Sequence, residues 1–142
     1  TQSRSSAASD VYKRQIISGE ANCAKVMEND YILAFMDVMP QATGHTLVIP
    51  KYNTENIYDL PEDYFIPMMD AIRKIAKSIK KVYSPTGVMI MQLNGEEAGQ
   101  TVFHLHFHLV PRKEGLNYKF HATEMVDFEA LKKEAEKIKS NI

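Results

Sequence analysis

Phe103-His104-Leu105-His106-Phe107-His108-Leu109-Val110 alternates large apolar residues with histidines, and this alternation constrains the fold more than any other stretch of the chain. A helix would scatter those side chains around its axis, whereas a strand sends successive side chains to opposite faces. The pattern predicts a strand over residues 101–110. One sheet face would carry Phe103, Leu105, Phe107 and Leu109, and the other His104, His106 and His108. Same-face neighbours on a strand lie about 7 Å apart. Imidazoles that close would repel one another if charged, so three of them merely facing solvent is a poor account of the row. Two chemical readings are open. The row could bind a metal, since neutral imidazole is a common ligand, or one imidazole could be a nucleophile tuned by its neighbours.

The segment before the row, Asn94-Gly95-Glu96-Glu97-Ala98-Gly99-Gln100-Thr101, supplies two glycines, two side-chain amides and a hydroxyl. A loop of this kind lets backbone N–H groups approach an anion closely. Feeding directly into a histidine strand, it favours phosphate chemistry over the metal, although Asn-Gly by itself is also an ordinary hairpin turn.

The rest of the chain reads as one α+β domain. Residues 31–38 and 45–49 are apolar runs separated by the turn Met39-Pro40-Gln41-Ala42-Thr43-Gly44, and residues 88–93 make a further strand. Between them Met68, Ile72, Ile75, Ile79 and Val82 follow the stripe of an amphipathic helix, with Met69 as additional core filler. Pro61, Glu62 and Asp63 mark its start and Ser84-Pro85 its end. Phe128, Leu131, Ala135 and Ile138 form a second stripe, with Asp127 as its N-cap. A formal net charge of −1 leaves no footprint for duplex nucleic acid. The single cysteine, Cys23, reads as a small core residue, and the lack of a signal peptide or spanning segment points to a reducing cytoplasm and no membrane partner.

Taken together, Ala98-Gly99-Gln100-Thr101-Val102-Phe103-His104-Leu105-His106-Phe107-His108-Leu109-Val110-Pro111-Arg112 resembles the signature of the histidine triad (HIT) family of nucleotide hydrolases and transferases. Phe35-Met36-Asp37-Val38-Met39-Pro40-Gln41-Ala42-Thr43-Gly44-His45-Thr46-Leu47-Val48-Ile49-Pro50-Lys51 matches independently, and Ile16-Ile17-Ser18-Gly19-Glu20 resembles the family's opening. The resemblance implies a HIT-like antiparallel sheet with one long helix and a C-terminal helix, continued across a homodimer. It implies attack by a histidine on the α-phosphorus of a nucleoside 5′-phosphate derivative, followed by hydrolysis of the nucleotidyl-histidine. His106 would be the nucleophile, its ring fixed by the carbonyl of His104. His108 would be general acid at the leaving group, and His45 would orient the triad. Asp37 and Asn94 would contact the nucleotide, with Asp37 on the ribose, and Gly99, Gln100 and Thr101 would hold the phosphate.

His108 favours hydrolysis, because the uridylyltransferase branch has glutamine at that position. Among hydrolases the resemblance points to a purine nucleoside phosphoramidase, with a dinucleoside polyphosphate hydrolase second and a nucleotide-binding protein of little turnover as a third reading. No cofactor is implied. Zinc-binding relatives carry Cys-x-x-Cys before the opening segment and a histidine where this chain has Asn53, so no structural zinc is expected. Ser5-Ser6-Ala7-Ala8-Ser9-Asp10-Val11-Tyr12-Lys13-Arg14-Gln15 resembles an in-frame translation of a sequencing-library adapter. Residues 1–15 are therefore expected to be an extraneous tail and residues 16–142 the HIT domain.

Overall fold

In a computed structural model of the protein, the residues described are Gln15, 22–115 and 124–142. The adapter-like stretch before Gln15 and the Ile16-Ile17-Ser18-Gly19-Glu20 segment lie outside them. Five strands, β1 (Lys25–Glu28), β2 (Ile32–Met36), β3 (Thr46–Pro50), β4 (Gly87–Met91) and β5 (Phe107–Arg112), form one antiparallel sheet in the order β1-β2-β3-β5-β4. Helix α1 (Phe65–Tyr83) connects β3 to β4, and helix α2 (Phe128–Ser140) follows β5. Among the described residues no helix is long and apolar enough to cross a membrane.

Strand periodicity sorts the sheet's side chains into two apolar layers. Ile32, Ala34, Met36, Val48, Phe107 and Leu109 face the helices, where they pack with Met68, Ile72, Ile75 and Ile79 of α1 and with Leu131, Ala135 and Ile138 of α2. Leu33, Phe35, Leu47 and Ile49 point the other way and pack with Cys23. Burial raises the Cys23 thiol above its ordinary range, which makes it a poor nucleophile.

The helices depart from the sequence expectation at their edges. Glu62 and Asp63 sit in a separate 3-10 turn, Glu62–Tyr64, and α1 begins only at Phe65. Its buried stripe is Met68, Ala71, Ile72, Ile75 and Ile79. Met69, expected as core filler, is 56% exposed. Ser84 ends α1 in the left-handed region at φ 46°, with Pro85 unable to continue it. Asp127 caps α2 as expected, its carboxylate accepting from Ala130 N, but Phe128 stays partly exposed.

The largest correction concerns residues 101–110. The strand starts at Phe107, and residues 101–106 reach it as an irregular segment. Two of their polar groups bond to the last residue of β3 and to the chain just after it, which supply partners a neighbouring strand would otherwise provide. Leu105 N donates to Thr54 O at 2.8 Å, and the His104 ring reaches Pro50 O. Leu105 is fully buried in the core while Phe103 is only half-buried, so the alternation ends before it.

Truncating Ile75, fully buried, to alanine should lower unfolding free energy by about 2–5 kcal/mol in a denaturant titration. Lys77→Ala on the exposed side of the same helix should stay within about 0.5 kcal/mol of wild type. Equal losses would mean that α1 does not present the stripe described.

Candidate active site

The pairing of β3 with β5 sets Leu47 opposite His108, and Phe35 lies opposite Leu47 on β2. His108 therefore shares a face with the second apolar layer, away from the helices. The rings of His106 and His108 are in contact at 4.8 Å between centroids, and those of His108 and His45 at 5.2 Å. His45 comes from the other end of the sheet's middle, in the turn just before β3, and is buried with His104.

Fixed hydrogen-bond partners determine where each ring carries its proton. A carbonyl oxygen can only accept, so His106 Nδ1, 2.7 Å from His104 O, carries a hydrogen. In the neutral ring Nε2 then holds a lone pair. His104 Nε2, 3.2 Å from Pro50 O, likewise donates. At His45 the logic reverses. The backbone N–H of Gln41 donates to His45 Nδ1 at 3.0 Å, so Nδ1 is bare and the proton is on Nε2. That proton points at His108 Nδ1, 2.9 Å away, and forces His108 Nδ1 to accept. His108 is thereby neutral, with its one hydrogen on Nε2. In that arrangement the His108 Nε2–H is the group His108 can offer at the leaving side.

Asp37, His45 and His108 bring possible metal-ligand atoms within 4.8 Å of one another. Their hydrogen bonding does not suit an ion. A ligating imidazole donates its other N–H, usually to a carbonyl or carboxylate. His45 could ligate through Nε2 only with its hydrogen moved to Nδ1, where the Gln41 N–H already points. Asp37 is also committed on one oxygen, which accepts from Met39 N at 2.9 Å, while the other lies 3.5 Å from His45 Nε2.

The glycine loop holds a second correction. Gln100, expected on the phosphate, is buried with its side chain engaged by protein. Its Oε1 accepts from Gly95 N at 2.7 Å, and its Nε2 donates to Glu55 O at 2.7 Å and to Val102 O at 3.1 Å. Asn94, expected on the nucleotide, accepts from Ile57 N at 2.9 Å and exchanges amide bonds with Gln92. Both side chains tie the loop to residues 55–57. Gly99 turns the loop in the left-handed region at φ +102°, and Thr101 is exposed at its end. The Gln41 amide and the clasp onto residues 50–57 were missed in the sequence because backbone groups carry no residue-type signal.

An antiparallel sheet backed by one long helix, with histidines gathered on the face away from that helix, defines a class as well as a site. The chain matches the HIT domain over residues 18–115 and belongs to that family of nucleotide hydrolases. It is 43% identical over 98 residues to "Protein hit" of Bacillus subtilis, covering 69% of this chain and 68% of that one. It is 35% identical over 135 residues to the adenosine 5′-monophosphoramidase HNT1 of Candida albicans, covering 90% of this chain and 88% of that one. The crystal structure of a Hit-like protein involved in cell-cycle regulation from Bartonella henselae superposes with a TM-score of 0.85 at 41% identity, covering 90% of this chain and 93% of that one.

Gln100→Ala should remove three hydrogen bonds at once, each worth about 0.5–1.5 kcal/mol net. Urea denaturation should show a loss of about 2–3 kcal/mol. Full stability with impaired nucleotide binding would instead return Gln100 to the phosphate.

Proposed function

We propose that the chain hydrolyses nucleoside 5′-phosphoramidates or related nucleotidyl conjugates, purine nucleotides preferred, through a nucleotide held covalently on His106. The observation that carries this reading is the 2.7 Å bond from His106 Nδ1–H to His104 O, which leaves the Nε2 lone pair beside His108. The similarity to an adenosine 5′-monophosphoramidase along 90% of this chain supports the substrate class.

In the first step a bond forms between His106 Nε2 and the α-phosphorus while the bond to the leaving nitrogen breaks. The modified ring becomes cationic and is stabilised by the His104 carbonyl at Nδ1–H. His108 donates its Nε2–H toward the charge that develops at the leaving side. The departing amine draws its full proton from solvent, because His108 has none to spare without becoming an anion. Water then attacks phosphorus, the bond to His106 Nε2 breaks with its electron pair returning to that nitrogen, the proton lost from the water passes to solvent, and the nucleotide is released. The exposed Thr101 is assigned to the phosphate oxygens, whereas the Gly99 N–H, expected there, donates to Glu96 O within the loop. Asp37 is assigned to the ribose hydroxyls. No step calls for a metal ion.

A second copy of the chain is proposed along β4. This strand is a sheet edge, Ile90 on it is half-exposed, and Phe65, Ile66 and Met69 expose apolar surface on α1. Unpaired edges invite such pairing. Sedimentation should give twice the chain mass, and a concentration-independent monomer would refute the pairing.

Adenosine phosphoramidate should be turned over faster than diadenosine tetraphosphate and in the presence of EDTA, and rapid quenching should trap a nucleotide on His106. His106→Ala should lose turnover by on the order of 10⁴-fold or more while still binding AMP. Preference for the tetraphosphate would move the chain to the dinucleoside polyphosphate branch. Binding without turnover of either would make it a nucleotide-binding protein.

A further inference from the structure

Tyr83, the last residue of α1, lies far from His45 in sequence yet touches the turn that carries it. Gly44 adopts φ +97°, and a Cβ there would sit 2.5, 2.8 and 3.0 Å from three ring carbons of Tyr83. The phenol face therefore fills the space a side chain at position 44 would need. Gly44 directly precedes His45, and the turn is closed by its own bonds. Asp37 N donates to His45 O, His45 N to Ala42 O, and Thr46 Oγ1 to Gly44 O. The Gln41 N–H that fixes His45 belongs to the same turn. The other end of the phenol is anchored, its hydroxyl donating to Glu134 Oε1 of α2 at 3.0 Å.

We infer that Tyr83 is a positioning residue for the reaction, holding the Gly44 turn so that the Gln41 amide keeps His45, and through it His108, in the Nε2–H tautomer. The path runs from Glu134 through the Tyr83 ring and the Gly44 backbone to the Gln41 N–H, then to His45 and His108. Each link is a direct contact or lies within one closed turn. Burial first, then the bond to Glu134 and its charge, raise the phenol's pKa well above the ordinary tyrosine value, so the hydroxyl remains a donor throughout the range in which histidines titrate. A ring held at both ends is stiff, and a stiff support is what a 3.0 Å N–H···N bond to a ring nitrogen requires. If the turn were free to shift, the Gln41 amide would swing away from Nδ1. His45 could then place its proton on either nitrogen, and His108 would follow.

The inference rests on the role proposed for His108, but its readout does not require turnover. Long-range proton–nitrogen NMR spectra of the imidazole rings distinguish a protonated from a bare nitrogen in the full-length protein without substrate. In the wild type, His45 and His108 should each show Nε2 protonated and Nδ1 bare. Tyr83→Leu should average these signals toward a mixture of tautomers, and Tyr83→Phe, which keeps the ring, should restore most of the wild-type pattern. Gly44→Ala forces the turn away from the same ring from the loop side and should give the same averaging, so the test stands even where Tyr83→Leu does not fold. Wild-type tautomers in a folded Tyr83→Leu or Gly44→Ala protein would overturn the inference. Absence of phosphoramidate turnover in the wild type, with the tautomer response intact, would overturn the proposed function instead and leave the positioning role standing.

Discussion

The register between β3 and β5 is the constraint on which the remaining architecture depends. Leu47 opposite His108 and Val48 opposite Phe107 send His108 to one face while Phe107 joins the helix-facing core. Because strand side chains alternate, a slip of one residue would turn Leu109 outward and bury His108 beneath α1. The apolar partners make that slip prohibitive, since Leu109, Val48 and Ile75 are fully buried on the correct side. Hydrophobic packing on one face thus aligns polar chemistry on the other.

Once register is set, the site is built from hydrogen bonds whose direction cannot be reversed. Carbonyl oxygens face His104 and His106, and a backbone amide faces His45. Each partner fixes the orientation of its ring, and at His45 the accepting Nδ1 keeps that buried imidazole neutral. The second layer of the sheet, with Leu47 beside His108 and Phe35 beyond it on the same face, is apolar, and a low local dielectric strengthens hydrogen bonds made there.

Much of this was legible in the sequence, and the losses have specific causes. The histidine row, the two amphipathic helices and the Asp127 cap were readable because side-chain periodicity and residue chemistry encode them directly. The strand's late start at Phe107 was not, because alternation over residues 103–106 continues in sequence while the hydrogen-bond partners become Pro50 O and Thr54 O. Gln100 and Asn94 carry groups suited equally to an anion and to a loop latch, and only tertiary position decides between them. The Tyr83 contact was invisible for a different reason. Gly44 before His45 is a signal that something approaches closely, but sequence alone does not say what.

His45 and His108 lie 63 residues apart in the chain, and β5 reaches β3 only after the whole of α1 and β4 has been laid down. Joining ends that distant carries a loop-closure entropy of about 4 kcal/mol by logarithmic chain scaling, before any contact offsets it. The paired rings therefore belong to no local segment. A chain with β1, β2, β3 and α1 in place but β5 undocked would possess most of the secondary structure and none of the chemistry. Catalytic competence in this fold is a long-range property, acquired at the step where topology closes and lost as soon as it opens.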